Sequence, residues 1–151
     1  MTVLYSTGLR TGLCGTTGFK GTGMLDAFFI DLYTGSQPVD SDQAPSGTLL
    51  ATISESAGVN PLTLGTPANG QVGKAPAEVW RGLGVAAGNA GWFRIRRAGD
   101  ANGVSTTAVR ADGSVATIGG DLKLGQTLVA IGAPVDINAL NLILKKTGVA
   151  P

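Results

Sequence analysis

Turn-forming residues interrupt the apolar pattern of this chain at short intervals along most of its length, and that punctuation limits what the chain can build. In residues 48–54, Leu49, Ala51 and Ile53 alternate with Thr48, Leu50, Thr52 and Ser54, a period of two. Residues 25–33 read as the first strong strand, and their centre, residues 27–30, is apolar on both faces, as expected where both sides of a strand are covered. Residues 60–65 ("NPLTLG"), 78–85 and 91–97 repeat the signal. "AVRADGSVATI" (108–118) predicts a hairpin turning at Asp112-Gly113, where a positive φ is tolerated. "TLVAI" (127–131) and "VDINALNLILKK" (135–146) close the series, with Pro134 marking an edge or a turn. In the last run Ile137, Leu140 and Leu144 have partial helical spacing, whereas Leu140, Leu142 and Leu144 alternate; strand agrees with the rest of the chain. Eight or nine short strands separated by Gly, Pro and Asp predict an all-β fold. The expected form is a β-sandwich or jelly roll of about eight short antiparallel strands over residues 25–151.

Residues 1–24 read as an N-terminal arm. "YSTGLRTGLCG" can form one helical turn, capped by Ser6 or Thr7, with Leu9 and Leu13 on one face. Its glycines make an independent helix unfavourable. Leu4, Tyr5, Leu9 and Leu13 are nevertheless apolar groups worth burying, so the arm is expected to order against a neighbour.

Composition narrows the function classes. A chain of 151 residues can bury a real core without staples. Its charged fraction of 14% and net charge of +1 argue against a nucleic-acid partner, because affinity for phosphate backbones comes from clustered Lys and Arg. No apolar run approaches membrane-spanning length, and the start lacks the apolar core of a signal, so synthesis in the cytoplasm and no membrane partner are expected. Cys14 is the single cysteine, which excludes an intrachain disulfide, and no base stands near it in sequence.

The chain contains no His, which removes the commonest general base and most nucleophilic triads and zinc sites. Glu55 and Glu78 are the only glutamates, and their spacing predicts no glycosidase pair. Asp40 and Asp42 resemble half of a calcium loop, but the Gly and terminal Glu of an EF-hand are missing. Asx turns that cap their own backbone fit them better. "GTTGFKGTG" and "GLGVAAG" match neither the Walker pattern nor G-x-G-x-x-G. No catalytic, cofactor or metal residue is therefore expected.

"GWFRIRRAGD" (91–100) is the sharpest local feature. As a strand it places Phe93 and Ile95 on one face and Trp92, Arg94 and Arg96 on the other. That second face can stack single-stranded nucleic acid. It can equally lie over Trp92 and pair with acidic residues, or supply a protein–protein hot spot, where Trp and Arg are enriched. The loop between Tyr33 and Leu49 is longer than a strand reversal needs. Pro38 and Pro45 would lower the entropy lost on docking, and Asp40 and Asp42 would supply polar contacts.

Five motifs occur in a telling order: "STGLR" (6–10), "YTGSQP" (33–38), Trp80-x-Gly82, "AGWFR" (90–94) and "DGSV" (112–115). In that order the chain resembles a group of small tailed-bacteriophage and prophage virion proteins. The resemblance covers nearly the whole chain. It implies a virion structural protein, a capsid decoration or cement protein that binds the major capsid protein as a homo-oligomer, with no enzymatic site and no cofactor. A tail or head–tail adaptor component is the alternative within the virion; a carbohydrate-binding module is the alternative of another class. The family's loop falls on Tyr33, Gly35, Gln37 and Pro38, and its strands on Trp80, Gly82, Trp92, Phe93 and Arg94. The arm departs from the pattern in being richer in Gly. The expected partner-binding residues are Leu4, Tyr5, Leu9, Leu13, Tyr33, Gln37, Pro38, Asp40, Asp42, Trp92, Arg94 and Arg96.

Overall fold

A computed structural model describes residues 3–9, 18, 24–69 and 71–143. Leu13 and Cys14 lie outside the described residues, as do residues 144–146 of the last predicted strand. The strands are β1 (Leu4–Tyr5), β2 (Phe28–Thr34), β3 (Leu49–Glu55), β4 (Gln71–Gly73), β5 (Trp80–Leu83), β6 (Gly88–Arg97), β7 (Arg110–Ala116), β8 (Leu122–Lys123), β9 (Leu128–Val129), β10 (Pro134–Asp136) and β11 (Asn141–Ile143). The main sheet runs β1-β7-β6-β2-β3-β5-β10, with β8 attached to β7 and β9 to β6. β4 and β11 form a separate two-stranded sheet. Pairing is antiparallel except between β7 and β8. The fold is all-β, as expected, with a sandwich-like core.

Register explains which side chains meet. Ile30, Ile95 and Ala111 lie in one row across β2, β6 and β7, and Leu32, Phe93 and Gly113 in the next. This face packs on Leu62, Leu64, Val72, Trp80, Ile137, Leu140 and Leu142 in a single apolar cluster, with Trp80 edge-on to Phe28 at 5.5 Å. The expected core positions Trp80, Phe93 and Ile95 are all buried.

Two expectations are corrected. Asp112-Gly113 is no turn: it sits in the middle of β7, opposite Arg94 and Phe93. A Cβ on Gly113 would lie 2.7 Å from the Phe93 ring, so Gly there makes room for an aromatic rather than for a reversal. Residues 60–65 contribute isolated bridges at Leu62 and Leu64 and no strand. At the start of the expected arm, residues 3–9 belong to the sheet and core: β1 pairs with β7, and Leu9 has no exposed surface. The predicted helical turn does form, at residues 7–9, and Ser6 caps it by accepting the Leu9 N–H at 3.2 Å. Strand wins over helix after Pro134, which opens the edge strand β10 where its missing N–H costs least.

Candidate functional site

The other face of the same three strands carries charge, and it too is covered. Asp31, Arg94 and Asp112 form one row across β2, β6 and β7; Phe29, Arg96 and Arg110 form the next; Tyr33, Trp92 and Ser114 the third. A charge taken out of water is tolerated only when it is paired and hydrogen-bonded, so the register itself demands partners.

Arg94 and Asp112 meet in a two-point pair, Nε to Oδ1 at 2.8 Å and Nη2 to Oδ2 at 2.7 Å. Arg110 grips Asp100 through Nε and Nη2, both at 2.6 Å. Arg96 donates Nε to Asp31 Oδ2 at 2.6 Å, and Asp31 Oδ1 accepts the Thr52 hydroxyl. Asn102 Nδ2 reaches both Asp31 and the Tyr33 hydroxyl, while its Oδ1 accepts from Arg94. Tyr33 stacks on Trp92 with centroids 4.6 Å apart, and the Arg94 guanidinium lies over the Trp92 ring.

What these groups do with their remaining donors is hold loops. The segments 35–48 and 99–108 have no regular structure, so their backbone carbonyls need outside donors. Arg94 Nη1 donates to Gln43 O at 2.9 Å, Arg110 Nη1 to Ser41 O at 3.4 Å, and Trp92 Nε1 to Ser46 O at 3.2 Å. Ser105 N–H donates to Asp42 O, joining one loop to the other. Asp42 N–H donates to Asp40 Oδ1, the expected Asx turn. The Asp42 carboxylate accepts both the backbone N–H and the hydroxyl of Thr7.

Electrostatics follow from this packing. Burial raises the Tyr33 hydroxyl, and the Asp31 charge adds to it; together they outweigh the Asn102 hydrogen bond and the nearby arginines and push the pKa to about 12. Burial works against ionisation of Asp100, but the hydrogen bonds from Arg110 and Asn102, with the charges of Arg110 and Arg96, hold the carboxyl below its ordinary range. The carboxylates of Asp31, Asp100 and Asp112 are thus committed to arginines. The arrangement organises backbone.

The expected partner-binding residues separate accordingly. Trp92 and Arg94 have no exposed surface, Tyr33 is buried in the stack, Pro38 is buried under the loop, and Leu9 is in the core. These five pack within the chain itself. Leu4, Tyr5, Gln37, Asp42 and Arg96 are half-buried, and Asp40 is exposed. In "GWFRIRRAGD", Arg94 lies over Trp92 and Arg96 over Phe29, and each pairs with an aspartate.

Sequence reading missed Asp31, Asp100, Asn102, Arg110 and Asp112. Asp31 inside "FFIDLY", and Arg110 and Asp112 alternating in "VRADGS", were visible as charges inside apolar strands. Such charges require buried partners. Also missed were Val39 and Val104, which are 87% and 80% exposed at the outer rim of the two loops. Among the described residues, no group of three His, Cys, Asp or Glu can hold a metal, and no helix is long and apolar enough to cross a membrane. No protein-family model, curated protein or solved structure matches the chain.

Proposed function

We propose that this is a bacteriophage virion structural protein, a decoration or cement subunit that attaches to the major capsid protein through the surface formed by loops 35–48 and 99–108. The single observation that carries the reading is how these loops are held. Trp92, Arg94 and Arg110 donate to carbonyls of segment 35–48, and Arg94 and Arg110 also hold the Asn102 and Asp100 side chains of segment 99–108, so the two irregular segments present a fixed outer surface tipped by Val39, Asp40 and Val104. A surface organised before binding loses little entropy on docking. Repetition over a lattice then multiplies modest contacts into high avidity. The motif order shared with small phage virion proteins supports the same reading. Both tryptophans are buried, so neither offers a stacking platform to a sugar.

The test is cosedimentation with particles lacking this protein. Val39→Glu combined with Val104→Glu changes only exposed side chains and should leave the melting temperature within a few degrees of wild type. Binding to heads should fall at least tenfold. Undiminished binding by the double variant removes the loops from the interface, and binding to tails in place of heads replaces the decoration role with an adaptor role.

A further inference from the structure

Residues 4–9 are held in the manner of a bound peptide. They add a short strand to the edge of β7, with Leu4 opposite Asp112 and Tyr5 opposite Ala111. Ser6 donates its N–H to Arg110 O at 3.1 Å and its hydroxyl to Ala108 O at 2.7 Å, while its Oγ accepts the Arg110 N–H. Asp42 takes both Thr7 donors, and Ser41 Oγ donates to Leu4 O. Gly8 lies so close to the 107–108 backbone that a Cβ would stand 2.4 Å from Thr107 O, and Leu9 then enters the core with no exposed surface. Edge pairing, a captured turn, a position that admits only Gly and an apolar anchor together make a socket that selects this short sequence.

All of these polar partners lie beyond residue 40, far along the chain from the strap itself. The strap is joined to Met24 only through residues 10–23, a connector that spans at most about 50 Å. An identical strap from a second molecule would make identical contacts. What favours the molecule's own strap is therefore the concentration set by its tether, about millimolar where a short linker is flexible. Exchange of identical elements is a low-cost route to oligomers.

We propose that residues 4–9 are an exchangeable strand, which a second copy of this chain donates to the β7 edge and the Leu9 socket once copies are crowded to the tethered concentration. Dilute chains close on themselves; packed chains link to one another. The proposal requires only copies of this protein and stands apart from the capsid reading.

The full chain carrying Cys14→Ser, Tyr5→Cys and Ala111→Cys tests it, because positions 5 and 111 are directly opposed across the two strands. The protein is oxidised at micromolar and at several-millimolar concentration and run on a non-reducing denaturing gel. Intrachain linkage is expected in the dilute sample. At high concentration interchain dimers should rise at least tenfold above a Tyr5→Cys, Cys14→Ser control that reports random collision. Intrachain linkage alone at both concentrations overturns exchange.

Discussion

Arg94 and Asp112 stand directly opposite each other on β6 and β7, and their side chains close a two-point ion pair with no exposure to solvent. The pair joins the sheet to the loops that cover it, because Arg94 spends its remaining N–H groups on Gln43 and Asn102. Breaking one partner of such a pair strands a buried charge. Asp112→Ala should therefore destabilise the fold by about 3–5 kcal/mol, read as a lower denaturation midpoint. Arg94→Met combined with Asp112→Leu should cost less than the sum of the two single changes. Additive costs would show that the two residues act independently.

Phe93 and Gly113 form a second cross-strand pair, in which the ring occupies the space a side chain would fill. Truncating Phe93 to Ala should cost about 3–5 kcal/mol. Gly113→Val, which drives a branched side chain into that ring, should cost about 1–3 kcal/mol. The ring relieves that clash when it is removed, so Gly113→Val should be much less harmful in the Phe93→Ala background. Thermal melts of the two single variants and the double variant check this.

The strap makes its own prediction. Leu9→Ala should cost about 2–5 kcal/mol, because the side chain is fully buried in the core. Asp42→Ala removes the carboxylate that accepts the Thr7 N–H and hydroxyl and should cost about 1–2 kcal/mol. Asp40→Ala, which alters one exposed turn two residues away, should stay within about 0.5 kcal/mol of wild type. Chemical denaturation of the three variants should rank them in that order.

Stability should narrow at both ends of the pH range. Asp100 and Glu78 are held below the ordinary carboxyl range in the folded chain: against burial, Asp100 gains hydrogen bonds from Arg110 and Asn102, and Glu78 from Thr63 and Trp80. A depressed folded value contributes stability above the unfolded value, about pH 4, and loses it as pH falls further. At the alkaline end Tyr33 is raised from 10.0 to about 12, so its contribution is complete below pH 10 and is lost as pH climbs toward 12. Denaturation midpoints across pH should show both limbs. Asp100→Asn should flatten the acid limb and Tyr33→Phe the alkaline one. Tyrosinate absorbance of the folded protein should appear only above the ordinary tyrosine range, since Tyr5 is raised as well, by burial and the Asp121 charge.

Local pattern by itself determined much of this protein. Alternation and frequent turn residues specify an all-β chain, the two faces of residues 91–97 are legible from period two, and a turn capped by Ser6 or Thr7 is announced locally. Tertiary structure decided what the second face of the sheet does. Period two says that Trp92, Arg94 and Arg96 share a side, but it is silent on whether water or chain covers them. That depends on register with β2 and β7, which brings Asp31 and Asp112 alongside, and on two loops that arrive from residues 35–48 and 99–108. The same limit produced the false turn at Asp112-Gly113. A sequence window sees the conformational freedom of Gly, whereas only the neighbouring strand supplies the Phe93 ring that requires it. The strap shows the same limit. Residues 4–9 read as an arm that must order against something, and the β7 edge, more than a hundred positions away, provides partners that no sequence window contains. Short-range preferences are written in adjacent residues; burial of charge and completion of an edge are settled by contacts between distant ones.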